Sequence, residues 1–453
     1  MPRKSLPILL LASALGACGG AERSPSASGP ERPATVALAP AGQTPPPAQG
    51  SLASAGFWQG PGEAGDGLIV AAAGLAGVTI HAPDGRQLGA LEGIDAGLVT
   101  VVPPRAGAGR AQVVVYDSAA AALEVFTLEG NAPELVNVTA EPLALEDEAT
   151  GLCHYRSRLA GADYVYAVTD AGLVLHFELY AVGERTAGRL LRAISVGKGA
   201  GYCAVDAETG TLYVSEEDVG IWRMGAEPES DTTREPLALA APWGDLSDEV
   251  KGIAVYRDGD EAWLVAADAG EDRLAVLDAQ SGAVVGRATV EGLGEAEGIA
   301  AVAAFGDAWP EGLLAIADED AENGSNLKLV DWRALASALE LAKASASGTE
   351  TAPPATVRPV LETEIAASYG DAADDPAIWV HPDDPEKSLV IGTDKQLGLY
   401  VFDLEGRTLQ TVPDGRMNNV DLRDGFPLGG GTVTLVTASN RSDDTIAAYR
   451  LDA

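Results

Sequence analysis

The chain has 453 residues, of which 67 are acidic and 30 are basic, so its formal net charge is −37. Apolar residues make up 46% and charged residues 21%, a globular composition that excludes a wholly disordered, collagen-like or disulfide-stapled chain. The acidity also argues against a protein that binds the phosphate backbone of nucleic acid, because such a protein needs a basic face. The length predicts two or more domains.

The first 18 residues are typical of a lipoprotein signal peptide. A basic pair precedes a short apolar run at residues 6–15, which is too short to span a bilayer. The string LGAC at residues 15–18 resembles a bacterial lipobox, in which the cysteine is lipidated and becomes the new N-terminus. We therefore expect Cys18 to anchor an exported protein to a membrane. Gly19 follows instead of Asp, which favours the outer membrane, facing the periplasm or the cell surface. The alternative is an ordinary secretory signal with an incidental cysteine.

Residues 19–51 are rich in Pro, Ala and Ser, which predicts a flexible tether. Two further cysteines remain, Cys153 and Cys203. An exported compartment permits a disulfide between them, but the sequence leaves open whether they pair.

A short string recurs from about residue 52 onward, consisting of a glycine and two residues that open a strand-like run. Its copies lie roughly 50 residues apart and begin at Gly56, Gly97, Gly151, Gly201, Gly252 and Gly298. Apolar runs separated by turn residues lie between the copies, for example YVYAV at 164–168 and AWLVA at 262–266. Four short strands in each repeat are typical of a β-propeller blade. The pattern predicts an all-β, six-bladed propeller over residues 52–343, with one helical stretch at 331–344. A β-sandwich or several small β domains is the alternative.

Residues 344–358 are small, polar and Pro-containing and predict a linker. The pattern then restarts, because GLYVFDLEGR at 398–407 aligns with GVTIHAPDGR at 77–86. Residues 359–453 therefore predict the first one to two blades of a second, incomplete propeller. Open blade edges are unpaired strands, so either the chain is part of a longer one or these strands dock on something else.

Chemically useful side chains are concentrated in the second copy. Four positions show the difference: Asp374 for Ala53, Asp375 for Ser54, Lys395 for Gly74, and Arg441 for one of an alanine run. Paired carboxylates at a strand entry suit calcium, which also takes backbone carbonyl and amide oxygens. Arg binds phosphate oxygens in pairs and Lys offers a point charge, so these groups predict a site for a phosphoryl group. The alternatives are turn and cap roles for the aspartates and solvated charges for Lys395 and Arg441.

Four strings carry a family resemblance: DAADDPAIWVHPDDPEKSLVIGTDK (371–395), GLYVFDLEGR (398–407), NNVDLR (418–423) and ASNRSDDTI (438–446). In this order and spacing they resemble the opening blades of β-propeller phytases, calcium-dependent six-bladed enzymes that hydrolyse phytate. Residues 52–340 are similar to that family more loosely. The resemblance implies a dual-domain chain, with a degenerate first propeller ahead of a catalytic one.

The resemblance also implies roles for particular residues. Lys395 and Arg441 match the phosphate-binding Lys and Arg, and together with Asp374 they are the implied catalytic residues. The implied calcium ligands are the side chains of Asp374 and Asp375 and the carbonyl groups of Pro376 and Val420. In the first propeller Glu217 matches one metal-binding acid, whereas Glu295 and Glu297 match acids more loosely. Ala200 and Lys251 replace two glutamates of the family, and a lysine expected near Asp170 is missing.

The implied activity is phosphomonoester hydrolysis, with calcium activating a water molecule and offsetting negative charge. Phytate is a polyanion that the acidic protein would repel, so a calcium–phytate complex is the expected substrate. The alternative function is a non-catalytic propeller that binds a ligand or a partner.

Overall fold

The computed structural model describes residues 34–60, 67–105, 110–129, 133–321, 324–341 and 360–452. Three predicted segments therefore lie outside the described residues: the signal peptide with Cys18, the first part of the tether, and the linker at 344–358. Within the described ranges the secondary structure is almost entirely β-strand, as predicted.

Two short strands, β1 (Thr35–Leu38) and β2 (Gly42–Gln43), precede six consecutive sheets, which we number blades 1 to 6. Blades 1 to 3 contain β3 (Ser54–Trp58), β4 (Leu68–Ala72), β5 (Val78–His81), β6 (Gln87–Leu91), β7 (Ala96–Val102), β8 (Gln112–Asp117), β9 (Ala122–Glu129), β10 (Glu134–Asn137), β11 (Leu143–Ala144), β12 (Ala149–Arg156), β13 (Asp163–Thr169), β14 (Leu173–Val182) and β15 (Arg185–Ser195).

Blades 4 to 6 contain β16 (Ala200–Asp206), β17 (Thr211–Glu216), β18 (Gly220–Gly225), β19 (Glu235–Leu239), β20 (Val250–Asp258), β21 (Glu261–Asp268), β22 (Arg273–Asp278), β23 (Val284–Val290), β24 (Ala296–Val302), β25 (Leu313–Asp318) and β26 (Asn326–Asp331). The second strand of a blade is covered on both faces by neighbouring blades, which explains its continuous apolar and β-branched sequence. All seven residues of β13 are buried, for example.

The blades close into a ring. The inner strands β3, β7, β12, β16, β20 and β24 each pack against the next, and β24 packs against β3. Six hydrophobic clusters lie between neighbouring blades, one for each junction. In the cluster that joins blade 6 to blade 1, Ile69 and Leu313 are completely buried. The predicted six-bladed propeller is therefore confirmed, and the β-sandwich alternative is excluded.

The N-terminal strands belong to the ring, which corrects the predicted tether at 19–51. Strand β2 pairs with β26 as the outer strand of blade 6, and β1 pairs in parallel with β23 of blade 5. The backbone N–H groups of Ala41 and Thr44 donate to the carbonyl groups of Leu329 and Leu327 at 2.8 and 3.0 Å. Any tether must therefore end before Thr35. The composition misled the prediction because Pro and Ala between short strands resemble a flexible segment.

Two further features follow from the propeller geometry. Cys153 of β12 and Cys203 of β16 lie on neighbouring inner strands, 5.8 Å apart between Cα atoms, and form a disulfide. The sequence had left that pairing open. Helix α1 (Trp332–Ala338) follows blade 6 and is capped by Asp331, whose side chain accepts a hydrogen bond from the N–H of Arg333. It is shorter than the predicted stretch at 331–344. Among the described residues, none of the helices has the length and apolar character needed to cross a membrane.

The second module repeats the first two blades. Its strands are β27 (Ala373–Trp379), β28 (Leu389–Asp394), β29 (Gly398–Phe402), β30 (Thr408–Val412), β31 (Met417–Leu428), β32 (Gly431–Asn440) and β33 (Thr445–Leu451). The first four form one sheet and the last three another, and the inner strands β27 and β31 pack together over a small core that contains Ile391 and Met417. The prediction of one to two further blades is confirmed.

Candidate phosphate and metal site

The predicted site residues of the second module lie at one end of its two sheets. Because β27 and β28 are antiparallel, the start of β27 with Asp374 lies beside the end of β28, which Lys395 follows directly. Strands β31 and β32 repeat the arrangement, with Asn418 at the start of one and Arg441 directly after the other. Packing of β27 against β31 brings the two ends together.

Hydrogen bonds connect these side chains into one group, which we call the Asp374 cluster: Asp371, Asp374, Lys395, Asn418 and Arg441. Lys395 Nζ lies 2.8 Å from Asp371 Oδ1 and 3.4 Å from Asp374 Oδ1. In the amide orientation that suits Asp374 and Arg441, Asn418 donates to Asp374 Oδ2 at 2.6 Å and accepts from Arg441 Nη2 at 3.0 Å. The two cations predicted to bind phosphate therefore converge through Asp374 and Asn418.

The charges of the Asp374 cluster support one another. The hydrogen bond to Asp371 raises the pKa of Lys395 above its ordinary value, despite partial burial. Partial burial by itself would raise the pKa of Asp371, but its hydrogen bonds to Lys395 and Glu229 lower that pKa on balance. Asp371 was not singled out in the sequence, although it opens the string DAADD that also contains Asp374 and Asp375.

Three of the predicted calcium ligands lie in two β-bulges, and Pro376 follows the first bulge, paired with Gly392 in the ladder. The pairing register of β27 jumps between Ala373 and Pro376, and that of β31 jumps between Asn418 and Asp421. Asp374, Asp375 and Val420 are therefore out of the regular ladder, where a bulge turns side chains and carbonyl groups in new directions. The backbone N–H of Asp375 donates to Thr393 Oγ1 at 3.0 Å, which fixes the bulge in β27. Carboxylate and carbonyl oxygens presented in this way are the donor type that calcium takes.

Glu217 lies elsewhere. It follows β17 in blade 4 of the first propeller, where its backbone N–H donates to the carbonyl group of Gly199 at 3.0 Å. The residues predicted as metal ligands are thus divided between the two modules, and their role in binding calcium stays a prediction.

A second cluster of charged side chains lies in blades 5 and 6 of the first propeller, at the same strand ends that carry the Asp374 cluster in the second module. We call it the Lys251 cluster: Glu249, Lys251, Glu295, Glu297 and Glu319. Lys251 Nζ lies 2.6 Å from Glu297 Oε1 and 3.3 Å from Glu249 Oε1, and it also pairs with Glu295. Carboxylate oxygens of the last three glutamates lie within 4.8 Å of one another. The loose matches Glu295 and Glu297 and the substituted position Lys251 therefore meet at one place.

The two modules contact each other beside the Asp374 cluster. Glu229, in the loop between β18 and β19 of blade 4, forms a hydrogen bond with the carboxyl group of Asp371. The guanidinium group of Arg189 lies 4.0 Å from the ring centroid of Tyr369. Burial, followed by the contact with Asp371, raises the pKa of Glu229 to about 7. When protonated, Glu229 can share its proton with the carboxylate of Asp371, a contact between distant segments that the sequence did not indicate.

Comparison with known proteins decides the family. A family model described as Phytase matches residues 36–344 and again residues 339–453. The chain belongs to the phytase family. The two matches coincide with the first propeller and the second module, so both copies of the internal repeat are phytase-like.

One curated relative of this phytase-family chain is the 3-phytase of Bacillus subtilis (strain 168), 53% identical over 93 residues. That match covers 20% of this chain and 24% of the relative, so it spans about a quarter of the relative's length. Among solved structures, the Cps50 (Swd1) β-propeller domain of Myceliophteria thermophila is 12% identical, with a TM-score of 0.38 over 61% of this chain and 82% of that chain. A protein of unknown function from Bacteroides thetaiotaomicron is also 12% identical, with a TM-score of 0.44 over 64% and 72% of the two chains.

The shared proton in this phytase-family chain predicts a pH-dependent contact between its modules. Because the folded pKa of Glu229 is raised above its unfolded value, the contribution to stability is complete below about pH 4.5 and is lost as the pH rises through about 7. In Glu229→Gln, an amide N–H can donate to Asp371 at every pH. We expect the urea midpoint of the parent to fall relative to this variant between pH 5 and pH 8.

The comparison between parent and variant removes the effect of the other charged groups that act on Glu229, namely Arg192 and Lys395. Glu235→Gln is the matched control, because Glu235 pairs with Arg223 instead. Parallel pH profiles for the parent and Glu229→Gln would contradict the shared proton.

Proposed function

We propose that the Asp374 cluster binds a phosphate group of phytate, which is presented as a calcium complex. We further propose that the second module belongs to a 3-phytase-like phosphomonoester hydrolase, which releases this phosphate group from phytate. The observation that carries this proposal is the convergence of Lys395 and Arg441 at one strand end, linked through Asp374 and Asn418. Membership of the phytase family supports it.

Each side chain of the cluster would have a different role in phosphate binding. The guanidinium group of Arg441 can donate two parallel hydrogen bonds to phosphate oxygens, which fixes the orientation of the phosphate group. Lys395 adds a mobile point charge, and the carboxylate of Asp371 keeps it protonated. Asn418 holds Arg441 in place by accepting one of its hydrogen bonds.

The residues present fit a calcium ion, because Lys395 is held by Asp371 at 2.8 Å and the more distant Asp374, at 3.4 Å, is left for the ion. Asp374 and Asp375 would hold it with the carbonyl groups of Pro376 and Val420. The two aspartates and Val420 lie in the bulges, and Pro376 directly follows the bulge of β27. When bound, calcium would acidify a water molecule and offset negative charge on the phosphate group. It would also reduce the repulsion between phytate and a chain with a net charge of −37.

We also propose that the protein is exported and anchored at the outer membrane through lipid on Cys18. The disulfide between Cys153 and Cys203 supports export, because such bonds persist in oxidising compartments.

The test is titration of the full chain with phytate by calorimetry, together with measurement of phosphate release, each with calcium and with EDTA. We expect binding and release to require calcium. Release that is unaffected by EDTA would contradict the metal role. Calcium-dependent binding without release would favour the alternative, a ligand-binding propeller.

A further inference from the structure

The Lys251 cluster has an unusual composition for a surface group of acids. Its ammonium group lies within ion-pair distance of Glu249, Glu295 and Glu297, and only 12% of the Lys251 side chain is exposed. Tyr202 of blade 4 adds a hydrogen bond from its hydroxyl group to Glu297 Oε2 at 2.6 Å. The cluster therefore joins the inner strands of three consecutive blades.

Charge explains why the ammonium group is needed. Four carboxylates gathered at one strand end repel one another, and the repulsion is strong where water is partly excluded. Burial, followed by the charges of Glu297 and Glu295, raises the pKa of Glu319. Burial alone would lower the pKa of Lys251, but its hydrogen bonds with Glu295 and Glu297 raise that pKa well above the ordinary value. The ammonium group therefore stays charged at any physiological pH.

The residues do not fit a calcium ion as they stand. Three of the carboxylates already direct oxygens at Lys251 Nζ, and a divalent ion at the same place would meet a positive charge. We propose that the ammonium group of Lys251 takes the place of a divalent cation in the first propeller and makes this rim independent of calcium. This inference does not rest on hydrolysis at the Asp374 cluster.

The test uses the full chain with Asp374→Asn and Asp375→Asn, which removes the proposed calcium site of the second module. In this background we expect Lys251→Met to gain one calcium site per chain by calorimetry. We also expect the melting temperature of this Lys251→Met chain to be higher in calcium than in EDTA. With Lys251 present, neither effect is expected at this rim. Lys251→Arg is the matched control, because it keeps the charge and should gain no site.

Two results would overturn the proposal. One is a Lys251→Met chain that binds no calcium. The other is calcium binding by the chain that retains Lys251, if Glu297→Gln abolishes it.

A measurement on the unmutated lysine keeps the proposal testable if Lys251→Met does not fold. Acetylation of lysines, read by mass spectrometry, should be slow at Lys251 and fast at Lys387, whose side chain is 68% exposed. Saturating calcium should leave the rate at Lys251 unchanged. Faster acetylation of Lys251 in calcium would show that the ion displaces the ammonium group, and would overturn the proposal.

Discussion

Arg441→Ala is expected to weaken calcium-dependent binding of phytate by about 10- to 100-fold, because each hydrogen bond to a charged group contributes roughly 1.5–3 kcal/mol. The guanidinium group is held beside Asp374 by Asn418, so it meets the phosphate group already oriented. Calorimetry on the full chain, at constant calcium, measures the loss. Arg441→Lys should recover only part of it, since an ammonium group offers a point charge and no paired donors.

The control for this prediction is Arg407→Ala. Arg407 lies in the turn between β29 and β30 of the same module, where it pairs with Asp403 and Glu405, and its substitution changes the net charge equally. Equal losses of phytate affinity in the two variants would mean that binding depends only on the net charge of the protein. Unchanged binding by Arg441→Ala would contradict the role of this residue in holding phosphate.

Removal of residues 34–44 is expected to destabilise the first propeller by at least about 3 kcal/mol, because leaving a buried backbone group unpaired costs roughly 1–3 kcal/mol. The deletion removes the partners of Leu327 and Leu329, both completely buried, and Leu38 from the core of blades 5 and 6. Urea unfolding followed by tryptophan fluorescence measures the effect, since Trp332 belongs to that core.

The control is deletion of residues 20–30, which removes the same number of residues from the predicted tether. This deletion should leave the urea midpoint unchanged. Addition of a peptide with the sequence of residues 34–44 should restore part of the stability of the shortened chain. Equal midpoints for the parent and the chain without residues 34–44 would contradict the closing role of β1 and β2.

The blades were predictable because the glycine-led repeat marks the inner strand of each one. The match of residues 398–407 to residues 77–86 located the second module. Asp374, Lys395 and Arg441 were predictable because the first copy lacks them. Strands β1 and β2 were not, because their partners lie far away in sequence: Leu327 donates its N–H to Thr44 Oγ1 across 283 positions. The contact of Glu229 with Asp371 depends on how two modules dock, which no local pattern encodes.

Closure of the ring by its earliest strands has a consequence for biogenesis. Thr35 pairs with Arg287 and Gly42 with Leu329, so β1 and β2 can find their partners only after blades 5 and 6 have been synthesised. Until those blades are present, the edges of β1 and β2 stay unpaired, and unpaired strand edges favour aggregation. The order of synthesis thus delays closure of the ring until blades 5 and 6 have been made.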